Sequence, residues 1–181
     1  MGNDGQRVTQ TAGLVLLWPF YEVLFDHAGL TTGAGFASSG AQAQAVRLMH
    51  RLAVGKTQGE DAGDDTPERD LTLEKLLCAW PDTLPLPRAT PMAPDQIALA
   101  DALLSSIGSH WAALGKTSVE GLQESFLARP GALSKTGGAP SLVVAASPVD
   151  PLLDALPWQI AAIHLPWMPA PLAVTWRERS L

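Results

Sequence analysis

The sequence holds a single cysteine, Cys78. One thiol excludes an internal disulfide and a cysteine-based zinc cluster, and it fits a reducing compartment. Positive charge is also scarce: Lys and Arg number 12 against 18 Asp and Glu, for a net charge of -6. The basic residues are scattered, and the one close group is Arg177 and Arg179 at the terminus. Phosphate binding relies on clustered cations, so nucleic acid is not the expected partner. Long apolar runs are missing as well. The first, Leu14 to Phe25, is broken by Pro19 and Glu22, and Met1 is followed by Gly-Asn-Asp-Gly instead of basic residues. It reads as neither a signal peptide nor a membrane span.

What is present is an ordinary globular composition, 46% hydrophobic and 17% charged, with enough apolar surface for a real core. Six tryptophans stand out. Three fall in Leu156 to Trp176, where Leu-Pro-Trp occurs at Leu156–Trp158 and again at Leu165–Trp167. Between the triplets, Gln159 to His164 is a short apolar run with β-branched Ile160 and Ile163, and Leu172 to Trp176 reads as another strand. Each proline fixes φ and biases its predecessor away from helix. The segment is therefore expected as strand, turn, strand.

Earlier in the chain, Met1 to Thr11 is small and polar and is expected to be a disordered arm. Ala12 to Trp18 has strand length. Pro19 then suits a first helical turn, with Phe20, Val23, Leu24 and His27 at helical spacing and Gly29 as the stop. A continuous helix kinked at Pro19 competes with that reading. Thr31 to Gly40 reads as a loop, and Ala41 to Val54 as a helix with the stripe Ala45, Leu48, Met49 and Leu52. Gly55 to Asp65 is an acidic, glycine-rich surface loop. Thr66 as N-cap and Pro67 open a helix that turns Leu73, Leu76, Leu77 and Trp80 inward and ends at Pro81. Pro81 to Pro94 is an extended connector. Asp95 to Trp111 is a long helix with Ile97, Leu99, Ala100, Leu103, Leu104 and Ile107 on its apolar face. A capping box, Thr117 with Glu120, starts the next, which carries Leu122, Phe126 and Leu127 inward. Ser134 to Ser141 reads as a turn, Leu142 to Ala146 as a strand, and Pro148 to Leu156 as a short helix. The fold class is α+β: mainly helical, with a small C-terminal sheet (strand, short helix, strand, strand) that Leu14 to Trp18 would join. Residues 12–181 read as one globular domain, helical over 12–130 and Trp-rich with strands over 131–181.

No chemistry converges in the sequence. His27, His50, His110 and His164 are isolated, whereas a metal site needs several donors together. Cys78, paired with a distant His50 or His110, is the one conceivable nucleophile. It sits in an apolar helical stripe, where thiols are packing residues. Gly55-Lys56-Thr57 and Gly115-Lys116-Thr117-Ser118 lack the upstream glycine and strand of a phosphate loop. No catalytic, cofactor or metal residue is expected. The tryptophans are either core or contact surface. Trp18, Trp80 and Trp111 lie in core patterns. Trp158, Trp167, Met168 and Trp176 are the candidate interaction residues.

In collinear order the residues also carry a likeness. Ala12-Gly13-Leu14-Val15-Leu16-Leu17-Trp18-Pro19-Phe20 with Leu24-Phe25 and Leu30 form one block. Ala45-Val46, Leu48, His50, Leu52-Ala53 and Gly55 form a second. Leu73, Lys75-Leu76-Leu77-Cys78 and the prolines after Trp80 form a third. Trp111, Leu114, Thr117-Ser118, Glu120-Gly121-Leu122 and Phe126-Leu127 form a fourth. Leu152-Leu153, the two Leu-Pro-Trp triplets, Ile163, Met168 and Trp176 form the last. With these blocks the chain resembles the tape measure protein family of contractile injection systems, phage-tail-like particles that drive a tube through a target membrane. It departs from the family at Ser141 to Ala146, which is small and apolar where a charged amphipathic strand would be expected. The resemblance implies a non-enzymatic structural protein that acts in tube-length control without a cofactor. Its partners would be inner-tube, hub or baseplate proteins, with no nucleic acid and no direct membrane insertion. It would be cytoplasmic during assembly and then inside the tube. An assembly adaptor or chaperone is the alternative. Even wholly helical, 181 residues would span only about 270 Å, so a piece of a longer ruler and a short stand-alone member both fit.

Overall fold

The structure, a computed structural model, describes residues 4–55, 71–87 and 92–176. Helices fill mainly the N-terminal half and a five-stranded mixed sheet the C-terminal half, an α+β fold. The helices are α1 (Trp18–His27), α2 (Ser39–Val54), α3 (Thr72–Leu77), α4 (Pro94–His110) and α5 (Val119–Leu122). The apolar stripe of α2 does what its spacing predicts: Ala45, Leu48, Met49 and Leu52 are all at most 1% exposed. Each of the three larger side chains contributes about 1.5–3 kcal/mol by burial. Ser38 starts the helix by accepting a hydrogen bond from the Ala41 N–H at 3.0 Å. On α3, Leu73 and Leu77 are fully buried. On α4, Ala100, Leu104 and Ile107 are buried while Ile97, Leu99 and Leu103 are half-buried, so the inward face is narrower than the pattern implied.

The strands are β1 (Asp4–Thr9), β2 (Thr31–Thr32), β3 (Gly35–Phe36), β4 (Gly131–Thr136), β5 (Ala139–Val144), β6 (Ala162–Ile163) and β7 (Leu172–Trp176). The large sheet runs β1-β4-β5-β7-β6, with β5 and β7 parallel and the other pairs antiparallel; β2 and β3 form a separate hairpin. The expected arm thus contains an edge strand, β1, paired with β4 from Thr9↔Gly131 to Asp4↔Lys135 through a register shift. Polarity misled there, because an edge strand with one solvated face needs little apolar sequence.

Ala12–Leu17 is a 3-10 turn, not a strand, and it does not join the sheet. All six residues are buried. They lie between α1 and a π-helical turn, Gln123–Leu127, that continues α5. A Cβ at Gly13 would sit 1.6 Å from the Phe126 carbonyl oxygen, so only glycine allows this approach. Ala12 N–H bonds to the Arg129 carbonyl at 2.8 Å, and the Tyr21 hydroxyl donates to the Leu14 carbonyl at 2.5 Å. The inward face of α1 is Tyr21, Leu24 and Phe25; Val23 is 56% exposed and His27 is exposed, a correction of the expected face.

Two helices end in the same way. After α1, the Leu30 N–H bonds to the Phe25 carbonyl and the Gly29 N–H to the Asp26 carbonyl, with Gly29 at φ +74. After α3, the Trp80 N–H bonds to the Lys75 carbonyl and the Ala79 N–H to the Leu76 carbonyl, with Ala79 at φ +56. Both are Schellman ends. Left-handed geometry at Ala79 ends α3, ahead of Pro81.

Further boundaries shift. Ser118, not Thr117, caps α5, accepting from the Gly121 N–H at 3.0 Å, while Thr117 donates to the Leu114 carbonyl. The loop expected at Thr31 to Gly40 contains β2 and β3. The turn expected over Ser134 to Ser141 is confined to Gly137 and Gly138, both at positive φ, between β4 and β5. The short helix is a 3-10 turn, Asp150–Ala155. In Gln159 to His164 only Ala162–Ile163 is strand. The features expected at residues 56–70, including the Thr66 cap, lie outside the described residues.

Candidate functional site

The candidate residues sit on the segment that crosses from the sheet to α1. Trp158 is half-buried, packs edge-on to Phe20 with centroids 5.1 Å apart, and donates its indole N–H to the Leu16 carbonyl at 2.8 Å. Trp18 answers by donating to the Gln159 carbonyl at 2.8 Å. Trp167 is half-buried between Phe25 (5.6 Å) and Phe36 (5.0 Å) and donates to the Leu77 carbonyl at 2.7 Å. Met168 is 5% exposed, and its sulfur accepts from the Leu165 N–H at 3.4 Å. Trp176 ends β7 with the buried Arg129 guanidinium 5.5 Å from its ring centre, and its own N–H, buried, has no partner. The same guanidinium lies 5.7 Å from the Phe126 ring and pairs with Asp150.

The structure brings Trp158 and Trp167 to the two ends of α1 and leaves Trp176 apart, with Arg129. Trp111 completes the pattern by donating to the Leu152 carbonyl at 3.0 Å. Four indole N–H groups therefore tie the C-terminal third to the helical body. Each such bond contributes about 1 kcal/mol net. The two Leu-Pro-Trp triplets thus place an indole beside each end of one helix.

Sequence reasoning missed a second cluster. Glu74, completely buried, accepts at Oε1 from the Thr11 hydroxyl at 2.7 Å and meets His50 Nδ1 at 2.9 Å. Its Oε2 is buried without a partner. The pair spans 24 residues, so no local pattern announces it. One signal was available: Glu74 lies next to Leu73 and one turn before Cys78, on the inward side of α3. Carboxylate, imidazole and thiol are the residue types of nucleophilic catalysis, yet the arrangement opposes it. Burial first and the Glu74 charge second push the Cys78 thiol well above its ordinary value. The same two causes, with Cys78 between them in size, push the Tyr21 hydroxyl up. A thiol held protonated is a poor nucleophile. Cys78, Glu74 and His50 line none of the surface clefts of about 260, 440 and 700 Å³ beside β1, α1 and α5. This cluster fastens the segment after β1 to α2 and α3.

Among the described residues, no group of three His, Cys, Asp or Glu side chains could hold a metal ion, and no helix is long and apolar enough to cross a membrane. A family model described as contractile injection system tape measure protein matches residues 2–176. No curated protein and no solved structure matches the chain.

Proposed function

Because the chain belongs to the contractile injection system tape measure protein family, and so has a structural role in such a system, we propose that it acts in tube-length control by docking onto a tube or baseplate component during assembly. The observation that carries this reading is the extent of the match, 2–176 of 181 residues, which covers both the helical body and the sheet. The longest described helix, α4, has 17 residues and spans only about 26 Å. No described element could measure a tube by its own length, so the contribution is one of binding. Of the candidate residues Trp158, Trp167, Met168 and Trp176, Met168 is 5% exposed and Trp176 stands apart beside Arg129; the docking face is carried by the half-buried Trp158 and Trp167. Its indoles show part of their rings, flanked by exposed Pro157 and Pro166, and the prolines keep it ordered before binding. The reaction is association without turnover, cytoplasmic at first and inside the tube afterwards.

The test is mass spectrometry of purified particles combined with tube lengths from electron micrographs. A ruler domain is retained at low copy, and its deletion broadens or abolishes the length distribution. If the protein co-purifies with assembly intermediates, is missing from finished particles and leaves tube lengths unchanged, it is an adaptor and length control is lost as a function. Pro166→Glu, which leaves the indole bonds intact, lowers incorporation without lowering the melting temperature; equal incorporation would move the docking face elsewhere.

A further inference from the structure

Among the described residues, two adjacent rows on the outer face of the large sheet carry no charged side chain. Strand pairing sets Val8, Ala132, Val143 and Thr175 side by side across β1, β4, β5 and β7. The next row is Ser134, Ser141, Ala173 and Ala162. Ser134 and Ser141 hydrogen-bond each other at 2.9 Å, one hydroxyl donating to the other. Val8 is 64% and Val143 39% exposed, and Ala162, Ala173 and Thr175 are exposed too. The alternate residues, among them Leu133, Leu142, Val174 and Ile163, are buried against the helices. A solvated sheet face ordinarily carries charged as well as polar residues. These two rows hold the polar Ser134, Ser141 and Thr175 but no charged side chain. Arg7 of β1 and Lys135 of β4 meet Asp82 of the loop after α3.

We propose that this face is a contact between two copies of the chain, sheet against sheet. With a net charge of -6 the copies repel. The exposed Glu22, Asp26, Asp95, Asp101, Glu120 and Glu124 are all on helical elements, where Arg47 is half-buried and Arg51 buried, so contact through helices sets an excess of carboxylates against its like. Contact through the sheet face sets neutral, small side chains against their like, and a two-fold pairing needs only a surface that complements itself. Two four-residue rows on strands about 4.8 Å apart make a patch on the order of 300 Å² per copy, below that of stable dimers, so the association is weak. It stands independently of the tape-measure reading.

Sedimentation of the purified chain tests it. Over a hundredfold concentration series reaching about 1 mM, the weight-average mass rises from 19.1 kDa toward twice that value. Val143→Lys places like charges across the axis and holds the protein at one chain throughout; Thr175→Lys, in the same row, repeats the test should Val143→Lys not fold. Val23→Lys, on exposed α1, leaves the rise unchanged. A wild-type mass that stays at one chain overturns the proposal. A rise that persists in both lysine variants overturns it in favour of a different self-contact.

Discussion

Helix α2 and the segment from Pro148 to Pro171 are held to one core by opposite means. In α2 the backbone satisfies itself, and burial of one stripe does the fastening. In the later segment prolines stand at 148, 151, 157, 166, 169 and 171, each removing a backbone donor. The only regular strand between them is β6, of two residues. Side chains supply the missing donors: Trp111 to the Leu152 carbonyl and Trp18 to the Gln159 carbonyl. Trp158 and Trp167 run the reverse way, from the segment to Leu16 and Leu77. Apolar burial at Ile163, Leu165 and Met168 completes the attachment. Where prolines prevent a ladder, an indole N–H does the work of a backbone one, at the end of a large apolar ring.

Breaking the helical side has the largest expected effect. Leu52→Ala, in the fully buried stripe of α2, lowers stability by about 2–5 kcal/mol in urea titration. Gly13→Ala belongs with it, since its Cβ meets backbone at 1.6 Å and something must shift. A loss under about 1 kcal/mol for either would mean that the core repacks easily there.

The next test is internal to the tryptophans. Trp167→Phe keeps a ring but strands the Leu77 carbonyl and costs about 1–3 kcal/mol. Trp176→Phe removes an N–H that has no partner, so it costs less than Trp167→Phe under the same denaturant series. Equal costs would show that ring volume, not the hydrogen bond, fastens the segment.

A smaller effect has the opposite sign. Ala79 holds φ +56 where the equivalent end of α1 has glycine. Ala79→Gly relieves about 1–2 kcal/mol of left-handed strain against about 0.4–1 kcal/mol for the larger entropy of glycine in the unfolded chain, so stability rises by about 0.5–1 kcal/mol. The smallest effect is nil at neutral pH and appears only in alkali. Both buried groups, Cys78 and Tyr21, have raised pKa values in the folded protein. Their protonated forms stay bound in the native state while the unfolded chain releases them, so the unfolded state binds fewer protons and stability falls as pH rises. The stability is fully present well below pH 9.0, the ordinary value of the thiol, and is lost as pH rises through it toward the raised folded-state value. Cys78→Ala moves the onset up toward pH 10, the ordinary value of the remaining tyrosine. Melting temperatures across this range check it.

The helical stripes were the most legible parts of the fold. The spacing of Ala45, Leu48, Met49 and Leu52 predicts their burial because a helix face repeats every three to four residues and needs no distant partner. The stop at Gly29 is legible for the same reason. β1 and β4 were not, since Gln6, Ser134 and their neighbours become strand only by pairing with each other across the sheet. Nor was the 3-10 turn at Ala12–Leu17, whose apolar run fits strand and turn alike until the π-turn packs on it. Of the candidate residues, sequence marked the tryptophans as important but not where their N–H groups point.

What the sequence by itself determined is the class: helices by local periodicity, a proline-rich C-terminal third, and family membership through five collinear blocks. Only the tertiary structure decided the sheet order, the pairing of His50 with Glu74, the indole links at the two ends of α1 and the two uncharged rows on the outer face of the sheet. Each of these depends on residues far apart in the chain meeting in space, and such meetings are set by packing and strand register, which no local pattern of residues encodes.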